Sequence, residues 1–471
     1  MPEFRVYIAM IAALAIFGPI DVVEAQSRRP RVPTQADPAA PAGEPDSGVD
    51  LNAPEIGPYL EREGLKEWVL TYRVSVFSDR PDQSIEVTEP GTNKRARTPK
   101  ITPFSFETVG VVFPRVPRTG SSESGDAAID EKSADAESFK GTLRIDGNIA
   151  DSHPEMLRGF PFGVELGRWD IGERGKTTEA RQIQLEVSIP VRAWKVKYNE
   201  AAALKVPWPQ TWPATAQQGL ESQLFVEQGF DAKGKLVKYD FQQVDRMLEL
   251  WKKEWKISDF KSVNPAALAK LVTSKVWSEV QPSGDGIGIR PRTGELMGVE
   301  LQNPARTLTT GRGSEHDIVV LTVALLRKVG IPARTVIGYD AGDKSDRWLD
   351  KGTKSSKLRS WVEFCLYDEA RNTVNWIPID ILKLRRLSNR PFPIDKEWRY
   401  FGTNDDLDRI LPFTFHFHPP TDVISYGVPG FWGWFMTPKP IDSAEQSITM
   451  SATSKAMRGG EKEDPRPARG K

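Results

Sequence analysis

The chain has 471 residues, 39% hydrophobic and 27% charged, which is enough for two or three packed domains. Lys plus Arg and Asp plus Glu both number 64, so the formal net charge is zero and no whole-molecule field draws the protein to nucleic acid or an anionic membrane. The single cysteine, Cys365, excludes a disulfide framework within the chain, and four histidines argue against a large histidine-built metal centre.

Residues 1–25 read as a signal peptide: "MPEFR" carries positive charge, "VYIAMIAALAIFGPI" is the apolar segment, and Val23 and Ala25 are small residues placed for cleavage before Gln26. The alternative is an uncleaved anchor, but the run is short for a span and is broken at Gly18-Pro19. No other apolar run is long enough to cross a bilayer. The expectation is an exported protein of the periplasm or the extracellular space, with no stable membrane span after cleavage. Residues 26–55 are rich in Pro and Ala and read as a linker.

Residues 56–205 read as a β-rich domain of β-sandwich type. "EWVLTYRVSVFS", "FETVGVVFP", "GTLRIDGNI" and "RQIQLEVSIPVRAWKVKY" are β-branched and aromatic, with partial alternation. Between them, the polar stretch from Arg118 to Ser138 reads as a disordered excursion. The period then changes. Val244, Met247, Leu248, Trp251 and Trp255 fall on one helical face, and Asn264-Pro265 caps a second helix carrying Leu268, Leu271, Val272 and Val276. A Gly-rich loop, "SGDGIGIRPRTGELMG", follows. From His316 to Val329 the apolar residues run almost all the way round, which predicts a helix inside a core. Gly330 ends it, "IPARTVIGYD" is a strand, and "RSWVEFCLY" and "TVNWIPIDI" flank the polar turn "DEARN" as a hairpin. Residues 396–445 read as an aromatic β extension and residues 446–471 as a disordered tail.

A buried helix followed by three strands, with "ALLRKVGIPARTVIGY", "SWVEFCLY" and "NWIPIDI" in order, resembles the transglutaminase-like domain, an α+β fold that shares its core with papain-like cysteine proteases. The resemblance covers about residues 265 to 385 within an expected domain of 206–395. It implies a nucleophilic Cys at the N-terminus of the buried helix, a His opening the strand that contains Trp-Val-Glu, and an Asp closing the next. A helix N-terminus and an imidazolium would lower the thiol pKa there, and the Asp would orient the imidazole. Counting from Arg327 puts the Cys position on Glu315. The His position, two before Trp361, falls on Arg359, and the Asp position falls on Asp380. A carboxylate is a poor nucleophile for acyl transfer, and a guanidinium cannot act as a base. The charges nevertheless survive: Glu315 is favoured at a helix N-terminus, and the planar fork of Arg359 can bridge Glu315 and Asp380. The alternative leaves both side chains exposed and unpaired.

Other residues invite a chemical reading. Ser314 is either a replacement nucleophile, about 100° round the helix from Glu315, or the N-cap. Cys365 is either a displaced nucleophile or an inert buried thiol. Glu315, His316 and Asp317 point in different directions, so one ion cannot easily use all three. His416 and His418 share a strand face and could bind Zn²⁺ with a carboxylate; otherwise they pack near Pro419. Ser314, His316, Trp361 and Trp376 are expected along the cleft. Phe431, Trp432, Trp434 and Phe435 form either a binding surface or a strand packed on the core. The expected function is non-catalytic, without a cofactor: the cleft binds a peptide or protein segment in the cell envelope. The alternatives are a cysteine-independent hydrolase or acyltransferase in the same cleft, or an interaction protein working through its β domain.

Overall fold

The computed structural model describes residues 58–78, 85–88, 95–98, 103–124, 140–223, 226–230, 235–284, 286–289, 296–299, 301–342, 358–415, 433–438 and 444–454. The expectations for the signal segment, the linker, His416, His418, Phe431 and Trp432 lie outside the described residues.

The N-terminal half supplies β1 (Leu60–Ser78), β2 (Thr108–Arg115), β3 (Ser122–Ser124), β4 (Lys140–Ile145), β5 (Glu165–Gly172) and β6 (Gln182–Tyr198). Downstream come α1 (Gln242–Glu254), α2 (Pro265–Glu279), β7 (Leu296–Val299), α3 (Pro304–Thr310), α4 (Glu315–Lys328), β8 (Ala333–Asp340), β9 (Leu358–Asp368), β10 (Thr373–Ile379), α5 (Ile381–Leu387), β11 (Ile410–Thr414), β12 (Gly433–Thr437) and β13 (Ala444–Ser454). The short hairpin Gln228–Phe230 with Leu236–Lys238 belongs to a separate compact unit.

Period-two burial organises the first sheet. Ile183, Leu185, Val187, Ile189, Val191 and Ala193 of β6 are buried, as are Leu70, Tyr72, Val74 and Val76 of β1. The two strands pair antiparallel from Leu60 opposite Tyr198 to Phe77 opposite Gln182. The sheet runs from Ile287–Ile289 through β7, β13, β1, β6 and β4 to Asn148–Asp151, with β3 also paired to β6. A second sheet has the order β12-β2-β5-(Glu155–Leu157), and a third has β10-β9-β8-β11.

Three expectations need correction. Residues 446–454, assigned to the tail, are strand: Gln446 pairs with Val76 and Ser454 with Trp68, and the alternate residues Met450 and Ala452 are buried. Their Ser and Thr content hid a period-two signal. The Gly-rich loop contains an antiparallel hairpin, Ile287–Ile289 with β7. The excursion begins as ordered backbone, since Thr119 to Ser124 are all buried; residues 125–139 lie outside the described set. Composition missed this because these polar groups find partners from distant parts of the chain. Glu123 Oε1 accepts from Arg62 at 2.9 Å and pairs with Arg118 at 3.2 Å, while the Gly120 N–H donates to Glu363 Oε1 at 3.0 Å. The pairing of β12 with β2, with Met436 buried, makes the Trp434-Phe435 segment a sheet strand.

Packing does not divide at residue 205. Tyr59, Leu60, Val116 and Val196 share one core with Leu268, Val272, Ile318, Leu325, Phe364 and Ile377. Leu70, Val111, Phe113 and Leu185 share the other with Val320, Ile337 and Phe413. Helix α4 lies between strands and helices, and twelve of its fourteen residues are buried. Gly330, with φ of +90°, ends it as the left-handed residue such a terminus favours.

Gly120 marks a close approach of the two halves. A Cβ there would stand 2.2 Å from the Trp376 carbonyl oxygen. Gly120→Ala is expected to lower stability by about 2–3 kcal/mol, read as a shift of the urea midpoint at unchanged slope; an unchanged midpoint would contradict this packing.

Candidate functional site

The site is built at the N-terminus of α4, where a buried helix leaves donor groups unsatisfied. Ser314 is the N-cap: its Oγ accepts the Asp317 N–H at 3.1 Å, and Asp317 Oδ2 accepts the Ser314 N–H at 2.8 Å. The other oxygen of Asp317 accepts the Gln302 N–H at 2.8 Å. This reciprocal capping box occupies both side chains. The pattern Ser-x-x-Asp before an apolar run is the sequence signal for it, and the N-cap expectation for Ser314 rests on its first residue.

Glu315, His316 and Asp317 diverge. Glu315 turns to Arg359, His316 Nδ1 hydrogen-bonds with Ser360 Oγ at 2.6 Å, and Asp317 turns back to the cap. Among the described residues, no three His, Cys, Asp or Glu side chains converge as metal ligands.

Arg359 opens β9 opposite Gly338 of β8. Its Nη1 donates to Glu315 Oε2 at 3.1 Å, and its Nη2 lies 3.8 Å from Asp380 Oδ2. The first contact is a hydrogen-bonded ion pair, and the second is a looser attraction of charges. Arg359 is buried, and the Glu315 side chain is 19% exposed. Among the described residues, the buried atoms Arg359 Nε and Nη2 and Glu315 Oε1 meet no hydrogen-bond partner. Asp380 closes β10 and caps α5, accepting the Lys383 N–H at 3.0 Å. Glu315, Arg359 and Asp380, from three separate segments, are thus neighbours.

Burial sets the protonation of this site. It pushes the Glu315 carboxyl up to about 7, against the pull of Arg359. Burial, with the Arg359 charge beside it, pushes His316 down to about 3, so the imidazole is neutral. Burial raises the Cys365 thiol well above its ordinary value, and the residue is fully enclosed. A thiolate there is strongly disfavoured.

The expected cleft residues do not line one cleft. Ser314 is committed to the cap, and His316 and Trp361 are buried, Trp361 within the main core. Their apolar or capped surroundings make them internal supports. Trp376 instead lines a cavity whose wall includes none of Glu315, Arg359 and Asp380. Sequence reasoning missed Ser360, which anchors His316, and the pair Arg334 to Glu363, which becomes legible only once β8 and β9 are in register.

The distinctive arginines also find roles. Arg327 donates through Nε and Nη2 to the Ala333 carbonyl at 3.0 and 2.9 Å and pairs with Glu227 at 2.7 Å. It therefore clamps the turn through Gly330, Ile331 and Pro332. Arg334 donates to Glu363 Oε2 at 2.9 and 2.7 Å.

The Glu315 shift has a sign. A carboxyl whose folded pKa lies above its free value favours folding most fully below the free value and loses that contribution as pH rises through the folded one. From about pH 4.5 to 7 this group alone should cost the fold on the order of 1–3 kcal/mol. Glu315→Gln should remove that slope, so the stability difference between wild type and variant should change with pH in this window. Parallel urea-stability profiles would contradict the shift.

Residues 296–381 match the family model described as the transglutaminase-like superfamily. No curated protein matches the chain. Among solved structures, the chain is similar to a candidate cysteine protease from Cytophaga hutchinsonii at 12% identity and a TM-score of 0.42, covering 84% of this chain and 93% of that one. It is also similar to the periplasmic domain of TgpA from Pseudomonas aeruginosa bound to ethylmercury, at 12% identity and a TM-score of 0.23, covering 66% and 89% respectively. Given that family match and the succession of α4, β8, β9 and β10, residues 296–381 carry the core of a transglutaminase-like domain in an α+β fold.

Proposed function

We propose that this is an exported transglutaminase-like protein whose helix-mouth site holds a peptide or protein segment of the cell envelope and does not cleave or cross-link it. The observation that carries the reading is the Arg359–Glu315 ion pair at 3.1 Å, with Asp380 beside it. By resemblance, these three positions are those of a Cys, a His and an Asp. A carboxylate and a guanidinium supply opposite charges there, but neither a thiolate nor a base for making one. The other nucleophile candidates are occupied elsewhere: Cys365 is enclosed and Ser314 caps the helix. Export rests on the charged, apolar and small-residue succession in residues 1–25.

What the pair offers a segment is the outer part of Glu315, whose side chain is 19% exposed, with Arg359 buried behind it. One observation favours a second reading, a cysteine-independent hydrolase. A carboxyl pushed up to about 7 lies in the range where acid–base catalysis works near neutral pH.

Two experiments separate these readings. Purified protein incubated with an amine donor, glutamine peptides and casein should give no product while retaining a labelled casein peptide. Turnover that survives Cys365→Ala and disappears in Glu315→Ala would establish the hydrolase or acyltransferase instead. In a Cys365→Ala background, Glu315→Cys with Arg359→His should react with iodoacetamide at pH 7 about tenfold faster than Glu315→Cys alone, because an adjacent imidazolium stabilises the thiolate. Equal rates would refute the correspondence of the two positions.

A further inference from the structure

Arg359 stands between two carboxylates that are held very differently. Asp380 is anchored: it is buried, its Oδ1 accepts the Lys383 N–H at 3.0 Å, and its own N–H donates to the Tyr400 carbonyl at 2.9 Å. Glu315 is the first helical residue after the Ser314 cap, and its side chain is 19% exposed. The anchored carboxylate is the farther one from Arg359, and the partly exposed carboxylate is the nearer.

The difference in distance is small. Arg359 Nη1 donates to Glu315 Oε2 at 3.1 Å, and Nη2 lies 3.8 Å from Asp380 Oδ2. A charge-assisted N–H···O bond closes at about 2.7–2.9 Å, so a shift of roughly 1 Å at the end of a long side chain would complete the second one. A buried guanidinium keeps its charge and needs an anionic partner. Among the described residues, Glu315 and Asp380 are the carboxylates within 4.0 Å of it.

The surrounding groups are divided. Burial holds the Glu315 carboxyl up at about 7 against the Arg359 charge; the Asp380 charge adds to the rise, while Arg386 and the Ser360 N–H oppose it. The charges of Asp340 and Asp406 also act on Arg359. The other neighbours are engaged elsewhere: Asp317 with the cap, His316 with Ser360, and the Lys383 ammonium with Asp406.

We propose that Arg359 is a two-position switch: it bonds Glu315 while that carboxyl is ionised, and closes on Asp380 when the carboxyl takes up a proton, releasing Glu315 to the helix mouth. The consequence for binding rests on the reading of the mouth as a holding site. A released, neutral Glu315 carries an O–H donor that an ionised one lacks. It can donate to a main-chain carbonyl of the segment, which is therefore held more tightly in the protonated state.

The test is a pair of crystal structures of the full-length protein, at pH 5.5 and pH 8.5. At pH 5.5 Arg359 Nη2 should stand within about 3 Å of Asp380 Oδ2 with the Glu315 bond broken; at pH 8.5 the Glu315 bond should be intact. Glu315→Gln, which is neutral throughout, should show the Asp380 arrangement at both. In parallel, wild type should bind a labelled casein peptide at least tenfold more tightly at pH 5.5 than at pH 8.5, and Glu315→Gln equally at both. The same Arg359 pairing at both pH values overturns the switch, even where the peptide binds. Exchanged pairing with no peptide bound at either pH establishes the switch and refutes the holding role. Should the variant fail to fold, the two wild-type structures decide alone.

Discussion

A helix buried on every side can place charge only at its ends, and the structure depends on how the ends of α4 are satisfied. At the N-terminus a capping box of Ser314 and Asp317 takes up main-chain donors, and Glu315 meets Arg359. At the C-terminus Arg327 reaches Glu227 and the Ala333 carbonyl. Each guanidinium comes to a carboxylate from a distant part of the chain. Lone buried charges would be unfavourable, whereas paired and hydrogen-bonded ones fix the position of the helix among the sheets. The same pairing explains why charge persists at the helix mouth.

The second organising contact lies between the halves of the chain. Arg334 and Glu363 face one another across β8 and β9, and the free oxygen of Glu363 takes the Gly120 N–H. One carboxylate therefore serves a strand of the transglutaminase-like sheet and a loop of the N-terminal half. The close approach needs a residue without a side chain, and Gly120 supplies it. Both hydrophobic cores cross the same boundary, so the β-rich half and the transglutaminase-like region fold as partners. The cavity beside Trp376 follows from this geometry.

Burial, more than pairing, tunes the chemistry at the helix mouth. It raises the Glu315 carboxyl and the Cys365 thiol and lowers the His316 imidazole, in each case favouring the neutral form. Arg359 remains as the fixed cation beside Glu315 and Asp380. Such a constellation lacks the ingredients of an activated sulfur, and this is the ground of the proposal that the site binds.

The sequence by itself determined the buried helix, its end at Gly330, the strand and hairpin that follow, and the alternation of β1 and β6. Those features are written in local periodicity and in residues whose backbone preferences act alone. It also marked Glu315, Arg359 and Asp380 as a group, through the resemblance of three motifs in order to the transglutaminase-like domain. Tertiary structure alone decided the rest. Polar segments such as Thr119–Ser124 and residues 446–454 look solvated until their distant partners are known, since what such a segment meets decides whether it is ordered. The separation of Trp376 from the ion pair and the placement of Ser360 behind His316 depend on register and packing between separate segments of the chain, which no local pattern encodes.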